Sequence, residues 1–249
     1  MITDCYDVKT EPIISLEDFY GAPKHMADIC LILFSIDIHN HLLDRYKCEK
    51  IGMLGSCNGN ITIYKMNYKG KEIAFYLSGI GSAVASAFCY EAYWQTGAKK
   101  FIMFGSCGSL DREKTEGRLI VPTESYRGEG CSYYYAEPAD YIAIRNSRKL
   151  AEIFGKLNIP YVSGRVWTTD SMIRETVGLV EKRKAEGCIA VEMELAGVQA
   201  LCDFFGFELY DFLEAGDVLE AGGYEAEGLE AANHNLGKLY VALEVAQCL

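Results

Sequence analysis

Glu192 and Glu194 stand one residue apart in CIAVEMELAG, where an apolar run of strand character passes straight into a helical pattern. Carboxylates at such a junction sit near the positive end of the helix, and acids placed directly after a buried strand are costly unless partnered. A sugar diol that donates two hydrogen bonds to one carboxylate is a suitable partner; a plain pair of N-terminal helix charges is the alternative. Asp217 follows the apolar run FELYDFL in Glu214-Ala215-Gly216-Asp217-Val218-Leu219, ahead of Gly222-Gly223. It suits either a general acid beneath a movable cover or an ordinary loop aspartate. Two glycine-rich segments also follow apolar runs: Ser78-Gly79-Ile80-Gly81-Ser82 after IAFYLS, and Gly105-Ser106-Cys107-Gly108-Ser109 after FIMF. Read as tight strand-end turns, they offer backbone N–H groups at Gly79, Gly81 and Gly105, with the Ser106 hydroxyl, to an anion or a hydroxyl. Val84 occupies the third glycine position that a dinucleotide fingerprint requires, and no histidine is placed to make Ser106 a hydrolytic nucleophile.

These residues need a frame that gathers strand ends. Apolar runs predict strands at Ile29–Ser35, Ile61–Met66, Ile73–Ser78, Phe101–Phe104, Arg118–Pro122, Tyr161–Thr168, Cys188–Val191 and Phe207–Leu213. Several are continuous apolar runs, as strands covered on both faces require. Helical patterns fall at Ala83–Thr96, Asp140–Leu157, Thr176–Glu186, Glu192–Phe205 and Leu229–Gln247, the first, third and fourth closed by Gly97, Gly187 and Gly206. The alternation predicts a single α/β domain over residues 1–249, three-layered around a mixed, largely parallel sheet, with 1–27 as an N-terminal extension. In such sheets ligands sit at the carboxyl ends of the strands.

Composition narrows the function. The 249 residues carry a formal net charge of −11, which disfavours a broad nucleic-acid interface. No apolar run approaches a membrane span and the N-terminus lacks a signal-like apolar region, so a cytoplasmic protein with neither nucleic acid nor membrane as partner is expected. The ten cysteines include no C-x-x-C pair and read as buried apolar residues in a reducing compartment. His39 and His41 lack a partner at ligand spacing, so no metal is expected.

Taken in order, GIG, GSCGSL, TTDSMI, AVEMELAG and GDVL resemble the class I nucleoside phosphorylase family, which includes uridine and purine nucleoside phosphorylases and the methylthioadenosine/S-adenosylhomocysteine nucleosidases. The resemblance runs from about Ile29 to the C-terminus. It implies phosphate-dependent cleavage of a nucleoside to a free base and a pentose 1-phosphate, phosphate being a co-substrate and no cofactor being needed. It also implies a homo-oligomer: a dimer, trimer or hexamer. By this resemblance Ser106, beside the Gly79/Gly81 turn, binds phosphate or an attacking water. Met193 packs under the ribose, Glu194 grips its 2′ and 3′ hydroxyls and Glu192 borders the same site. Asp217 donates a proton to N7 of the leaving base, and Met172 and Ile173 belong to the base pocket.

The chain departs from that pattern where the phosphorolytic bacterial members place arginines. Met103 stands two residues before the Gly105 turn, and Ser35-Ile36-Asp37-Ile38-His39-Asn40 replaces a Gly-Asp-Pro loop. His39, Asn40, Arg45, Arg127 or a neighbouring subunit's arginine are candidate substitutes, and Trp167 or Tyr133–Tyr135 could supply the ring that Met172 does not. A purine-directed phosphorylase is the leading expectation. A phosphate-independent nucleosidase, a uridine phosphorylase and an inactive nucleoside-binding protein remain alternatives.

Overall fold

A computed structural model describes residues 1–57, 59–220 and 223–249. The first 27 residues carry only a short turn at Ile2–Asp4 and one helical turn, α1 (Glu17–Tyr20). The fold proper begins with β1 (Ile29–Leu33), whose five apolar residues are all buried, and α2 (Ile36–Arg45), capped by Ser35 Oγ accepting from Ile38 N at 3.2 Å. An antiparallel run of β2 (Glu49–Ser56), β3 (Gly59–Tyr68) and β4 (Lys71–Leu77) leads into α3 (Ser82–Thr96). Next come β5 (Lys100–Ser109), α4 (Arg112–Thr115), β6 (Leu119–Gly128), β7 (Tyr141–Ala143), α5 (Ser147–Lys156) and β8 (Tyr161–Thr169). The chain then passes through α6 (Val177–Ala185), β9 (Cys188–Glu192), α7 (Leu195–Phe205) and β10 (Glu208–Glu220). It ends with β11 (Gly223–Glu225), α8 (Leu229–Asn233) and α9 (Leu236–Gln247).

The result is the expected α/β arrangement, one mixed sheet with helices on both faces. At its centre β4, β1, β5 and β10 are parallel. One apolar layer joins the sheet to α3 and α7, and the other joins it to α2, α5 and α9. The sheet also closes on itself. β6, β8 and β9 run parallel, while β9 meets β5 and β6 meets β10 antiparallel, so β5, β10, β6, β8 and β9 form a ring. Each closing contact involves only two residues per strand, too little to leave a pattern in the sequence.

This closure revises two boundaries. Gly105–Ser109 is not a turn; it continues β5, with Ser106 opposite Glu214 and Gly108 opposite Asp217. A Cβ at Gly108 would collide with the Leu219 side chain and press on Val191, so glycine leaves room for these two side chains. Asp217 likewise lies inside β10 rather than in a loop after Leu213, at a bulge between Ala215 and Asp217. Gly222, half of the Gly222-Gly223 pair read as a mobile cover, lies outside the described residues, and Gly223 begins β11. The Asp140–Leu157 helix divides into β7 and α5, and Leu229–Gln247 into α8 and α9. The Glu192–Phe205 helix starts only at Leu195, because Glu192 still belongs to β9.

Candidate active site

A cavity of about 710 Å³ opens at the carboxyl ends of β1, β5 and β10, bounded by the α2, α6 and α8 segments. It brings Gly105, Ser106, Met172, Ile173, Glu192, Met193, Glu194 and Asp217 together on one wall system. Gly79 and Gly81 are not in the wall, although Ile80 between them is. The Gly81 N–H, expected to face a ligand, instead donates to Glu194 Oε1 at 2.7 Å. Gly81 caps α3 at φ +104°, a conformation open to glycine, and the turn thereby holds Glu194 in place.

Glu192 has a different job from its neighbour. Its carboxylate accepts from the backbone N–H groups of Glu194 and Leu195, both at 2.7 Å, and from the Thr168 hydroxyl. It therefore ties β8 to β9 and closes the first turn of α7. Burial pushes Glu192 above the usual carboxylate range and the charge of Glu194 adds to this; burial also raises Glu194, against the lowering pull of the Gly81 N–H. Asp217 is half-buried and raised by burial, while the Tyr224 hydroxyl opposes the shift. A carboxyl so placed keeps its proton nearer to neutral pH, as a proton donor requires.

At the other end, Ser106 Oγ donates to Asn233 Oδ1 and Ser35 Oγ lies 2.8 Å from His234 Nδ1. Lys238 from α9 is buried, donates to the Ala232 carbonyl and stands 3.4 Å from Glu214 Oε2. No arginine lines the cavity among the described residues, and its acids are Glu175, Glu192, Glu194, Asp211, Asp217 and Glu220. Arg127 does not substitute: its guanidinium donates to Ser132 Oγ and to the carbonyls of Glu137 and Ala136, and packs over Tyr133. His39 packs against Tyr64 and Phe75, and neither it nor Asn40 nor Arg45 reaches the wall. The aromatic rings lining the cavity are Phe34, Phe104 and Tyr224; Trp167 is buried among Leu110, Val180 and Cys188, and Tyr135 packs on Phe204 and Phe205.

Glu175, Asp211, Asn233, His234 and Lys238 also line the cavity, beyond the residues expected from the sequence. Two of them did leave a signal. Asp211 interrupts the buried run of β10, and Lys238 sits beside Leu239 on the buried face of α9, so each is a charge where the helix or strand pattern calls for an apolar residue.

The phosphorylase superfamily matches residues 37–220, spanning most of the fold and the cavity. The chain belongs to that superfamily and is an enzyme of the pentosyltransferase class. It is 27% identical over 215 residues to a purine nucleoside phosphorylase DeoD-type of Alkaliphilus metalliredigens, covering 84% of this chain and 88% of the relative. A protein of the same name from Caldanaerobacter subterraneus is 26% identical over 215 residues, with 84% and 88% covered. One from Colwellia psychrerythraea is 29% identical over 194 residues, with 74% and 78% covered. Among the described residues no helix is long and apolar enough to cross a membrane.

Proposed function

We propose that the protein is a purine nucleoside phosphorylase, cleaving the N-glycosidic bond with phosphate to give a free purine and a pentose 1-phosphate. The observation that carries this reading is the placement of Asp217, half-buried with its carboxyl raised, in one cavity with Glu194 and Ser106. Cleavage develops positive charge on the ribose and negative charge on the base, as in glycoside hydrolysis. A phosphate oxygen attacks C1′, the C1′–N9 bond breaks, its electron pair passes into the purine, and Asp217 delivers a proton at N7. Glu194 uses the carboxylate oxygen not engaged by Gly81 to hold the ribose hydroxyls and offset the sugar's charge. Met193 packs under the ribose, and Met172 and Ile173 flank the base. Ser106, the β5 backbone at Gly105, His234 and Lys238 receive the phosphate.

Glu194→Gln keeps an oxygen for the Gly81 N–H but removes the charge. It is expected to lower kcat/KM roughly 10- to 100-fold, the worth of charge-assisted hydrogen bonds, read in steady-state kinetics with the fold checked by circular dichroism.

The preponderance of acids over Lys238 and His234 in the wall favours a second reading, with water as the nucleophile. Incubation of purine nucleosides with and without phosphate separates the two. Base release that requires phosphate and yields pentose 1-phosphate is expected; release of free pentose at the same rate without phosphate would establish hydrolysis instead.

A further inference from the structure

Glu175 has no part in the mechanism above. It follows the turn Met172–Arg174, lines the cavity, and its carboxylate meets no hydrogen-bond or ionic partner among the described residues. It stands near enough to Asp217 that burial, with the Asp217 charge added, pushes it up to about 7. Both carboxyls line the same cavity, and such a pair favours holding one proton between its members, because ionising both places like charges together in a half-buried site. The Tyr224 hydroxyl engages Asp217, the other member of the pair. The surrounding wall from Met172, Val177, Val180, Val191 and Leu219 is apolar and fits the faces of a flat heterocycle.

Donor and acceptor order then decides which base fits. Along its N7 edge a 6-aminopurine presents an acceptor at N7 and a donor at the amino group, whereas a 6-oxopurine presents two acceptors. The Asp217 charge holds the free pair's proton toward Glu175; a bound 6-aminopurine is matched when that one proton sits on Asp217 opposite N7 and leaves Glu175 as the carboxylate opposite the amino group, a donor next to an acceptor. The oxo form needs a second proton on the pair, or leaves the carboxylate facing a carbonyl oxygen, which a polar site rejects strongly.

We infer that Glu175 determines base specificity, accepting a hydrogen bond from the exocyclic amino group of a 6-aminopurine whose N7 is met by Asp217. The site therefore selects 6-amino- over 6-oxopurine nucleosides. This rests on the purine-directed reading above and adds to it a residue and a substrate class.

The test compares the full chain with Glu175→Gln in two measurements. The first is kcat/KM for adenosine and inosine with phosphate present; the second is calorimetric binding of adenine and hypoxanthine. The native protein is expected to favour adenosine and adenine at least tenfold, and Glu175→Gln to shrink both preferences by tenfold or more. Equal preferences in the two proteins, or a native preference for the oxo forms, overturn the inference even if the enzyme turns over normally. If neither nucleoside is cleaved, the catalytic reading fails, and the binding measurement still decides: an adenine preference lost in Glu175→Gln upholds the subsite, and its absence overturns it.

Discussion

Asp217→Asn is expected to lower kcat for an ordinary purine nucleoside by roughly 100- to 10,000-fold, the range for loss of a positioned general acid. Asparagine matches the side chain in size and can still face both Tyr224 and N7, so binding persists and the loss falls on kcat rather than KM. Asparagine has no carboxyl proton to deliver as the C1′–N9 bond breaks. The burial that raises Asp217 keeps that proton available at higher pH than for an exposed acid. Native activity that depends on it declines as pH rises through the Asp217 titration, and Asp217→Asn lacks that limb. A 7-methylated purine nucleoside supplies an internal control. Its leaving base already carries the positive charge that protonation would create, so its cleavage is expected to be nearly indifferent to Asp217→Asn. A loss below tenfold on the ordinary nucleoside, or an equal loss on the 7-methylated one, would remove Asp217 from the role of proton donor.

How the site came to be legible differs from residue to residue. Asp217, Glu194 and Ser106 could be read because each follows an apolar run, and polar groups after a buried strand have few packing reasons to be there. The elements around them were less visible. GSCGS carries the composition of a turn, yet it is strand because β10, more than a hundred residues later, lies alongside and supplies its hydrogen bonds. The closing pairs β5–β9 and β6–β10 involve two residues on each strand and have no periodicity to detect.

Charge was the least legible property. Arg127 was one of the candidate substitutes for the missing phosphate arginines, but the Glu129–Glu137 segment folds back and takes up its donors. Lys238 is a cavity residue only because α9 packs its face on β5. Glu175 depends on its neighbour in the same way: Asp217 lies 42 positions away in sequence and only the fold sets the two acids together.

Three other acids of the cavity are expected to make stability fall as pH rises. Glu192 and Asp211 are buried and Glu194 partly so; burial, the first cause in each, lifts all three above the usual carboxylate range, and the carboxylate charges add to it at Glu192 and Asp211. Neither oxygen of Asp211 has a hydrogen-bond partner among the described residues, so its ionised form is poorly accommodated. An acid raised in the folded state binds its proton more tightly there than in the unfolded chain. Its contribution to stability is fully present below the unfolded value near about pH 4 and is lost as pH rises through the folded value. Glu192 is pushed up to about 8, so the window extends from the ordinary carboxylate range to about that pH. A tenfold difference in proton affinity between the folded and unfolded chain corresponds to about 1.4 kcal/mol, and the ligand-free protein is expected to lose a few kcal/mol of unfolding free energy between about pH 5 and pH 8. Asp211→Asn removes one of the three titrations. It is expected to flatten the profile and to stabilise the protein at pH 8 by about 1–3 kcal/mol, since an amide has no proton to retain on folding and each tenfold difference in proton affinity is worth about 1.4 kcal/mol. Urea unfolding of both proteins at pH 5.5, 7 and 8.5 measures this. A native profile that rises with pH, or an Asp211→Asn protein less stable than the native one at pH 8, would mean that these carboxyls are ionised and paired in the folded state.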